Sequence, residues 1–279
     1  MFRDIPPPVR SEVPMKDVQN SYDDRKVPIY KVGVKDIRYP IKALDRQQRF
    51  QSTVARVSLF VDLPHQFKGT HMSRFVEILN EHGREISHGS IATILAAMVE
   101  RLNSETAHIE VRFPYFVMKR APVSGAASLM DYDCAFLAEY SRGNSKPDTI
   151  MEVQVPVASL CPCSKEISEA GAHNQRSIVT IRVRYCAFVW LEELIDIAEG
   201  VASSDVYALL KREDEKHVTE RAYRNPAFVE DLVRSVAVRL RSDPRITWYQ
   251  VESENFESIH NHSAYAMVVS ECPPGAASA

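Results

Sequence analysis

With 279 residues, 45% hydrophobic and 25% charged, the chain is long enough to bury one large core or two ordinary ones, which excludes a disordered or fibrous protein. A net charge of -3 and a pI near 6.3 give no bulk attraction to nucleic acid, so an anionic ligand has to be held by a local cluster. No basic segment leads into an apolar run and no stretch reaches the roughly 18 apolar residues of a membrane span, so a cytoplasmic protein without a membrane partner is expected. Five cysteines, an odd number, fit reduced thiols better than a disulfide framework.

Residues 1–50 hold Pro6, Pro7, Pro8, Pro14, Pro28 and Pro40 among many charges and read as an extended N-terminal arm with little core of its own. From Thr53 the pattern sharpens: Ala55, Val57, Leu59 and Val61 alternate as in a half-buried strand. Met72, Phe75, Val76 and Leu79 space one helix; Ile91, Ile94, Leu95, Met98, Val99 and Leu102 stripe a second. Period two returns at Ile109, Val111, Phe113, Tyr115 and Val117, and again from about 129 to 140, before the turn-like stretch 142–147.

The pattern then nearly repeats. Met151, Val153, Val155 and Val157 alternate into a loop, and Val179, Ile181, Val183 and Tyr185 alternate out of it. Leu191, Leu194, Ile195 and Ala198 mark a helix. Asn225 as N-cap and Pro226 at the first helical position are expected to open another, striped by Phe228, Val229, Leu232, Val233, Val236 and Leu240. Two strands, about 246–254 and 263–269, close the chain. This order implies an α+β fold, antiparallel strands with helices packed on one face, in two related modules over 51–145 and 146–272, with a tail at 273–279. Neither half carries a Gly-rich phosphate loop.

The chemistry concentrates in three clusters. In the loop 159–177, Cys161 and Cys163 flank Pro162, and His173 follows twelve residues after the first thiol. Soft sulfur and borderline nitrogen donors so close together suit one transition-metal ion. Proline favours extended backbone before it, so both thiols are expected on one side. Three acids stand together in Arg212-Glu213-Asp214-Glu215-Lys216-His217, which taken alone reads as a solvated face between helices. Acids and imidazoles also share the loop that runs through Glu257, His260 and His262. A thiolate, two imidazoles and a carboxylate drawn from all three would make a mixed site with room for water or substrate, whereas a structural zinc site is usually closed by four Cys or His ligands.

Long runs of the chain resemble one family. Cys161-Pro-Cys-Ser-Lys-Glu-Ile-Ser168, Gly171-Ala-His-Asn-Gln-Arg-Ser177, Glu213-Asp-Glu-Lys216 with Thr219-Glu-Arg-Ala-Tyr223, and Ser258-Ile-His-Asn-His262 are similar to the motifs of the GTP cyclohydrolase IB family, a metal-dependent type I enzyme. So are Lys68-Gly-Thr-His-Met-Ser-Arg-Phe75 and Lys119-Arg-Ala-Pro-Val-Ser-Gly125, and the resemblance extends from about residue 28 onward. It implies a tunnelling fold with two modules per chain and a homotetramer whose active sites lie between subunits. It implies a hydrolase acting on C–N bonds of cyclic amidines, which converts GTP and water into formate and 7,8-dihydroneopterin triphosphate, the first step of folate and pterin biosynthesis. By the same resemblance Cys161, His173, Glu215 and His260 bind one Mn2+, Fe2+ or Zn2+ per site, Glu230 anchors the guanine edge, and Cys161 is also catalytically important.

Chemical reasoning agrees with those roles. Opening the five-membered ring of guanine requires water to attack C8, and a divalent metal makes that water nucleophilic near neutral pH. A ring nitrogen gains a proton in the same step, a task for His262 or the surroundings of His173. A carboxylate accepts two hydrogen bonds from the guanine N1–H and amine, as Glu230 would from a partly desolvated place at the edge of its helix's apolar stripe. Lys68, His71, Arg74, Lys165 and Arg176, with Lys119 and Arg120 beside them, are the cations available to a triphosphate. Cys163 is expected to support the site structurally, and Cys134, Cys186 and Cys272 to be inert. The competing readings are a sister activity that forms a cyclic phosphate of dihydroneopterin and a non-catalytic, metal-stabilised protein that binds purines or pterins. A zinc-dependent base deaminase expects Cys-x-x-Cys where this chain has Cys-x-Cys.

Overall fold

The alternation at Ala55–Val61 is realised in a long strand, and the computed structural model, which describes residues 18–19, 21–47, 49–83, 85–86 and 88–270, builds one sheet around it. In chain order the elements are β1 (Ile29–Asp45), β2 (Arg49–Leu63), α1 (Met72–His82), β3 (Glu85–Ile86), α2 (His88–Arg101), β4 (Thr106–Arg120) and β5 (Ala127–Ser141). There follow β6 (Asp148–Leu160), α3 (Pro162–Ile167), β7 (Asn174–Tyr185), α4 (Leu191–Glu199), β8 (Ser204–Asp205), α5 (Arg212–Arg224), α6 (Val229–Arg241), β9 (Ile246–Asn255) and β10 (Ala264–Val269). The sheet runs β10-β9-β7-β6-β5-β4-β2-β1-β3, antiparallel except where β3 meets β1, with β8 added beside β6. Two long strands, two helices and two strands thus occur twice, and the second set carries the extra elements α3, β8 and α5.

One face of every central strand is apolar and fully buried: Val57 and Leu59 on β2, Ile109 and Val111 on β4, Val153 and Val155 on β6, Val179 and Ile181 on β7. Helices α2, α4 and α6 lay Ile94, Leu95, Leu194, Leu232 and Val236 against that face, so a single core spans both halves. Each fully buried Leu or Ile contributes about 1.5–3 kcal/mol of transfer free energy, which ties the helices to one side of the sheet. The opposite face is polar, and there the buried Glu152 carboxylate receives Arg112 from β4 at 2.8 Å and Arg182 from β7.

Several expectations need correction. The stretch read as an arm supplies β1, paired with β2 along most of its length, with Ile41 and Ala43 in the core. Gly33 permits the close approach of the two strands, since a Cβ there would meet the Leu59 carbonyl oxygen at 2.0 Å. The first helix buries Phe75, Ile78 and Leu79, while Met72 and Val76 face solvent. Asn225 caps the end of α5 rather than the start of α6. The segment between them is drawn onto the sheet by Ala227 N–H donating to the Leu160 carbonyl, and α6 opens at Val229, where Asp231 accepts from Phe228 N–H. Among the described residues no helix is long and apolar enough to cross a membrane. Pro6, Pro7, Pro8, Pro14, Cys272 and the tail at 273–279 lie outside the described residues.

Candidate active site

Strand register decides which residues can meet. β6 ends at Leu160 beside the start of β7 at Asn174, and β7 starts beside the end of β9 near Asn255. The β4–β5 turn, where Arg120 pairs with Ala127, lies at the same end of the sheet. The loop that carries Cys161 and His173, the loop that carries His260 and His262, the N-terminus of α6 with Glu230, and the β4–β5 turn therefore share one end.

The cysteine loop is tied tightly. Cys161 N–H donates to the His173 carbonyl at 3.1 Å, and His173 N–H donates to Ser164 Oγ at 3.1 Å. Cys161 keeps extended backbone and caps α3, its sulfur accepting from Ser164 N–H at 3.4 Å, with Pro162 in the first helical turn. The expected common side for both thiols does not hold: the chain turns helical after Cys161, leaving Cys161 half-buried and Cys163 exposed on α3. Both thiols are free. Gly171, at φ +76°, makes the return turn toward His173.

The imidazoles are neighbours. The His173 and His260 ring centres are 6.4 Å apart, and His260 stacks on His262 at 5.3 Å. His173 Nδ1 faces Gln175 Oε1 at 3.1 Å and Glu257 Oε2 at 3.9 Å, the Glu257 side chain being only 11% exposed. Neither Gln175 nor Glu257 has a role in the sequence reading. Glu257 stood inside an acidic, histidine-rich loop, and its burial against His173 is what distinguishes it from its neighbours.

Glu215 arrives on α5, and the charge run read as a solvated face between helices is the first turn of that helix. Asp214, with no exposed surface, accepts from Lys211 N–H, Val123 N–H, Ser124 N–H and Ser124 Oγ at 2.6–2.9 Å. Burial alone would raise its carboxyl pKa, but the four donors outweigh that and hold it well below the usual range. Asp214 thereby latches the N-terminus of α5 to the β4–β5 turn, and the exposed Glu215 is the next residue. At the other end of α5, Lys165 Nζ donates to the Tyr223 carbonyl at 2.6 Å and lies over the Tyr223 ring. Among the described residues no three His, Cys, Asp or Glu side chains stand close enough to hold one ion, so the four expected ligands share an end of the sheet without closing a shell. A free thiol, two neighbouring imidazoles and a nearby carboxylate are nevertheless a donor set suited to a divalent transition metal.

The remaining expectations divide. Glu230 reaches this end on the first turn of α6, but it is exposed instead of partly desolvated at the apolar stripe, because that helix buries Val229, Leu232 and Val233. Arg176 lies on β7 with its carbonyl accepting from Phe256 N–H, which ties the start of the histidine loop to the strand. Lys119 is committed elsewhere: its ammonium pairs with Glu199 at 2.6 Å and Asp205 at 3.4 Å. Burial pushes the Glu199 carboxyl above its ordinary pKa, with Lys119 and Tyr132 opposing that shift. A cleft of about 500 Å³ opens there between β4 and α4, and no residue of the cysteine or histidine loops lines it.

Lys68, His71 and Arg74 are not brought to this end. They follow β2, whose end at Leu63 lies by the start of β4, and Arg74 Nη1 donates to the Arg101 carbonyl. The 15 residues of β4 separate the two ends by roughly 45 Å at about 3.3 Å per residue.

A long two-module antiparallel sheet with helices on one face and a site at the strand ends defines the class. The fold is also that of urate oxidases: a uricase from Bacillus fastidious superposes with a TM-score of 0.55 over 89% of this chain and 94% of its own at 10% identity. Urate oxidase from Bacillus sp. TB-90 gives 0.52 over 87% and 99%, again at 10% identity. The chain is thus a tunnelling-fold protein, the α+β class expected from the sequence. Residues 15–266 match the family model described as Type I GTP cyclohydrolase folE2. Proteins named GTP cyclohydrolase FolE2 are 59% identical in Geotalea uraniireducens, over 91% of this chain and 93% of that one, and 58% identical in Nitrosococcus oceani, over 93% and 97%. The chain belongs to the type I GTP cyclohydrolase FolE2 family.

Proposed function

We propose that the protein is a cytoplasmic GTP cyclohydrolase of the metal-dependent IB type, hydrolysing GTP to formate and 7,8-dihydroneopterin triphosphate as the first step of folate and pterin biosynthesis. The observation that carries this reading is the convergence of Cys161, His173, His260 and Glu230 on one end of the sheet in a chain 59% identical to proteins named GTP cyclohydrolase FolE2. Cys161, His173, Glu215 and His260 would hold one Mn2+, Fe2+ or Zn2+, which would supply the Lewis acidity that makes water nucleophilic near neutral pH. Glu230 accepts from the guanine N1–H and amine, and an exposed carboxylate on the first turn of a helix is free to do so. His262, which stacks on His260, passes a proton to the opening imidazole ring of the substrate. Lys165 and Arg176 flank the same loops and offer charge to the triphosphate. Lys68, His71 and Arg74 serve the site of another copy in a homotetramer with active sites between subunits.

The test is to strip the protein of metal, add back manganese, ferrous iron or zinc separately, and follow formate and the oxidised fluorescent pterin produced from GTP. Formate released in step with neopterin triphosphate by a reloaded sample, and by no stripped one, is the expected result. GTP binding without formate from any reloaded sample would overturn it.

A further inference from the structure

Gln175 is the second residue of β7 and stands two residues after His173, which immediately precedes the strand, and the two side chains meet there. The Gln175 carboxamide is held at both ends. Its Nε2 donates to Ser159 Oγ at 3.0 Å, and Ser159 Oγ shares a 2.9 Å hydrogen bond with Ser177 Oγ; neither serine has exposed surface. Its Oε1 lies 3.1 Å from His173 Nδ1. A carbonyl oxygen only accepts, so this contact is a hydrogen bond when Nδ1 carries the ring proton. Glu257 Oε2, 3.9 Å from the same nitrogen, favours the proton there as well. A reversed amide would point its NH2 at Nδ1 and drive the ring proton to Nε2, an arrangement the Glu257 carboxylate opposes.

We infer that Gln175, anchored by the buried Ser159–Ser177 pair, is a positioning residue that locks His173 in its Nδ1–H tautomer and presents Nε2 with a free lone pair as a preformed metal donor. The inference rests on the reading of His173 as a metal ligand. It adds a residue that touches neither metal nor substrate, and it accounts for two buried hydroxyls at the end of a strand pair that apolar side chains would otherwise fill.

Two readouts test it on the full-length protein. In the metal-free, 15N-histidine-labelled protein, long-range proton–nitrogen spectra are expected to show His173 protonated at Nδ1, and Gln175→Leu to mix in the Nε2–H form. Mn2+ affinity, read from the free-ion electron paramagnetic resonance signal, is expected to fall about 10–100-fold in Gln175→Leu and to recover largely in Gln175→Glu, which keeps an acceptor oxygen. Unchanged Mn2+ affinity and an unchanged Nδ1–H signal in Gln175→Leu would overturn the inference. So would a Gln175→Glu variant as weak as Gln175→Leu. Ser159→Ala keeps Gln175 but loosens its anchor, and serves if Gln175→Leu does not fold: mixed tautomers are expected, and a purely Nδ1–H ring would count against the lock. His173→Ala separates the two levels. If it binds Mn2+ as tightly as the wild type, the ligand reading itself fails; if it loses Mn2+ while Gln175→Leu does not, only the tautomer lock fails.

Discussion

Cys161 and Glu230 lie at the same end of the sheet, and the proposed function gives them separable tasks. Cys161 caps α3 with its sulfur, and its backbone N–H ties it to the His173 carbonyl. Cys161→Ala is therefore expected to lose bound metal and turnover together, which metal analysis and the formate assay read on one sample. Glu230 is exposed on α6 and lies outside the proposed ligand set, so Glu230→Gln is expected to keep its metal. Replacing a charged acceptor with an amide that offers one acceptor and an unwanted donor costs about 1.5–3 kcal/mol, or roughly 10–100-fold in KM for GTP. A Glu230→Gln variant with unchanged KM would remove Glu230 from the guanine site. The cysteine and histidine loops stand out in the sequence because their chemistry is rare, two thiols around a proline and histidines two apart in a loop, whereas Glu230 enters only through the family resemblance. Gln175 and Glu257 do not stand out, because a glutamine in a strand or an acid in a loop reads as ordinary surface until packing brings it to His173.

At the level of elements, apolar periodicity revealed those whose burial is one-sided and concealed those held by polar contacts. Strands β2, β4, β6 and β7 and helices α2, α4 and α6 announce themselves through alternating or 3–4 spacing, and their buried sets coincide with it. β1 is hidden because most of its first dozen residues are exposed or half-exposed, and it breaks register between Val34 and Ile37 around Asp36 at φ +57°. α5 is hidden for a different reason: its buried residues are Asp214 and Ala222, so no stripe exists to be seen. What fixes α5 is the Asp214 latch to Val123 and Ser124. Asp214→Ala should release both amides, seen as faster hydrogen exchange at Val123 and Ser124 with protection of the β6 and β7 core unchanged. With Glu215 one residue away, metal affinity should fall with it. Exchange rates at Val123 and Ser124 equal to the wild type would mean that the turn is held by other contacts.

For the whole molecule, the decisive fact is the length of the sheet. Lys68, His71 and Arg74 at one end and Cys161, His173 and Glu230 at the other are separated by the full run of β4, and a strand in the middle of a sheet cannot fold back to join them. If the motif 68–75 contributes to turnover, it does so by acting on a neighbouring copy, as in the proposed tetramer whose sites straddle subunits. That arrangement has a quantitative consequence. In such a tetramer Arg74→Ala and Glu230→Gln would each disable a different half of every shared site, so either homo-oligomer is expected to be inactive in the limit of complete loss. Co-expressed in equal amounts and assembled at random, the two variants rebuild a site wherever an intact first half meets an intact second half, giving about one quarter of wild-type activity per site. Purification through a tag on one variant and mass analysis of the mixed oligomer verify the assembly, and the formate assay reads the recovery. No recovery in a verified mixed oligomer, with each parent inactive, would put both halves of the site in one chain, an arrangement this sheet does not permit; full activity of Arg74→Ala alone would instead release that residue from the site.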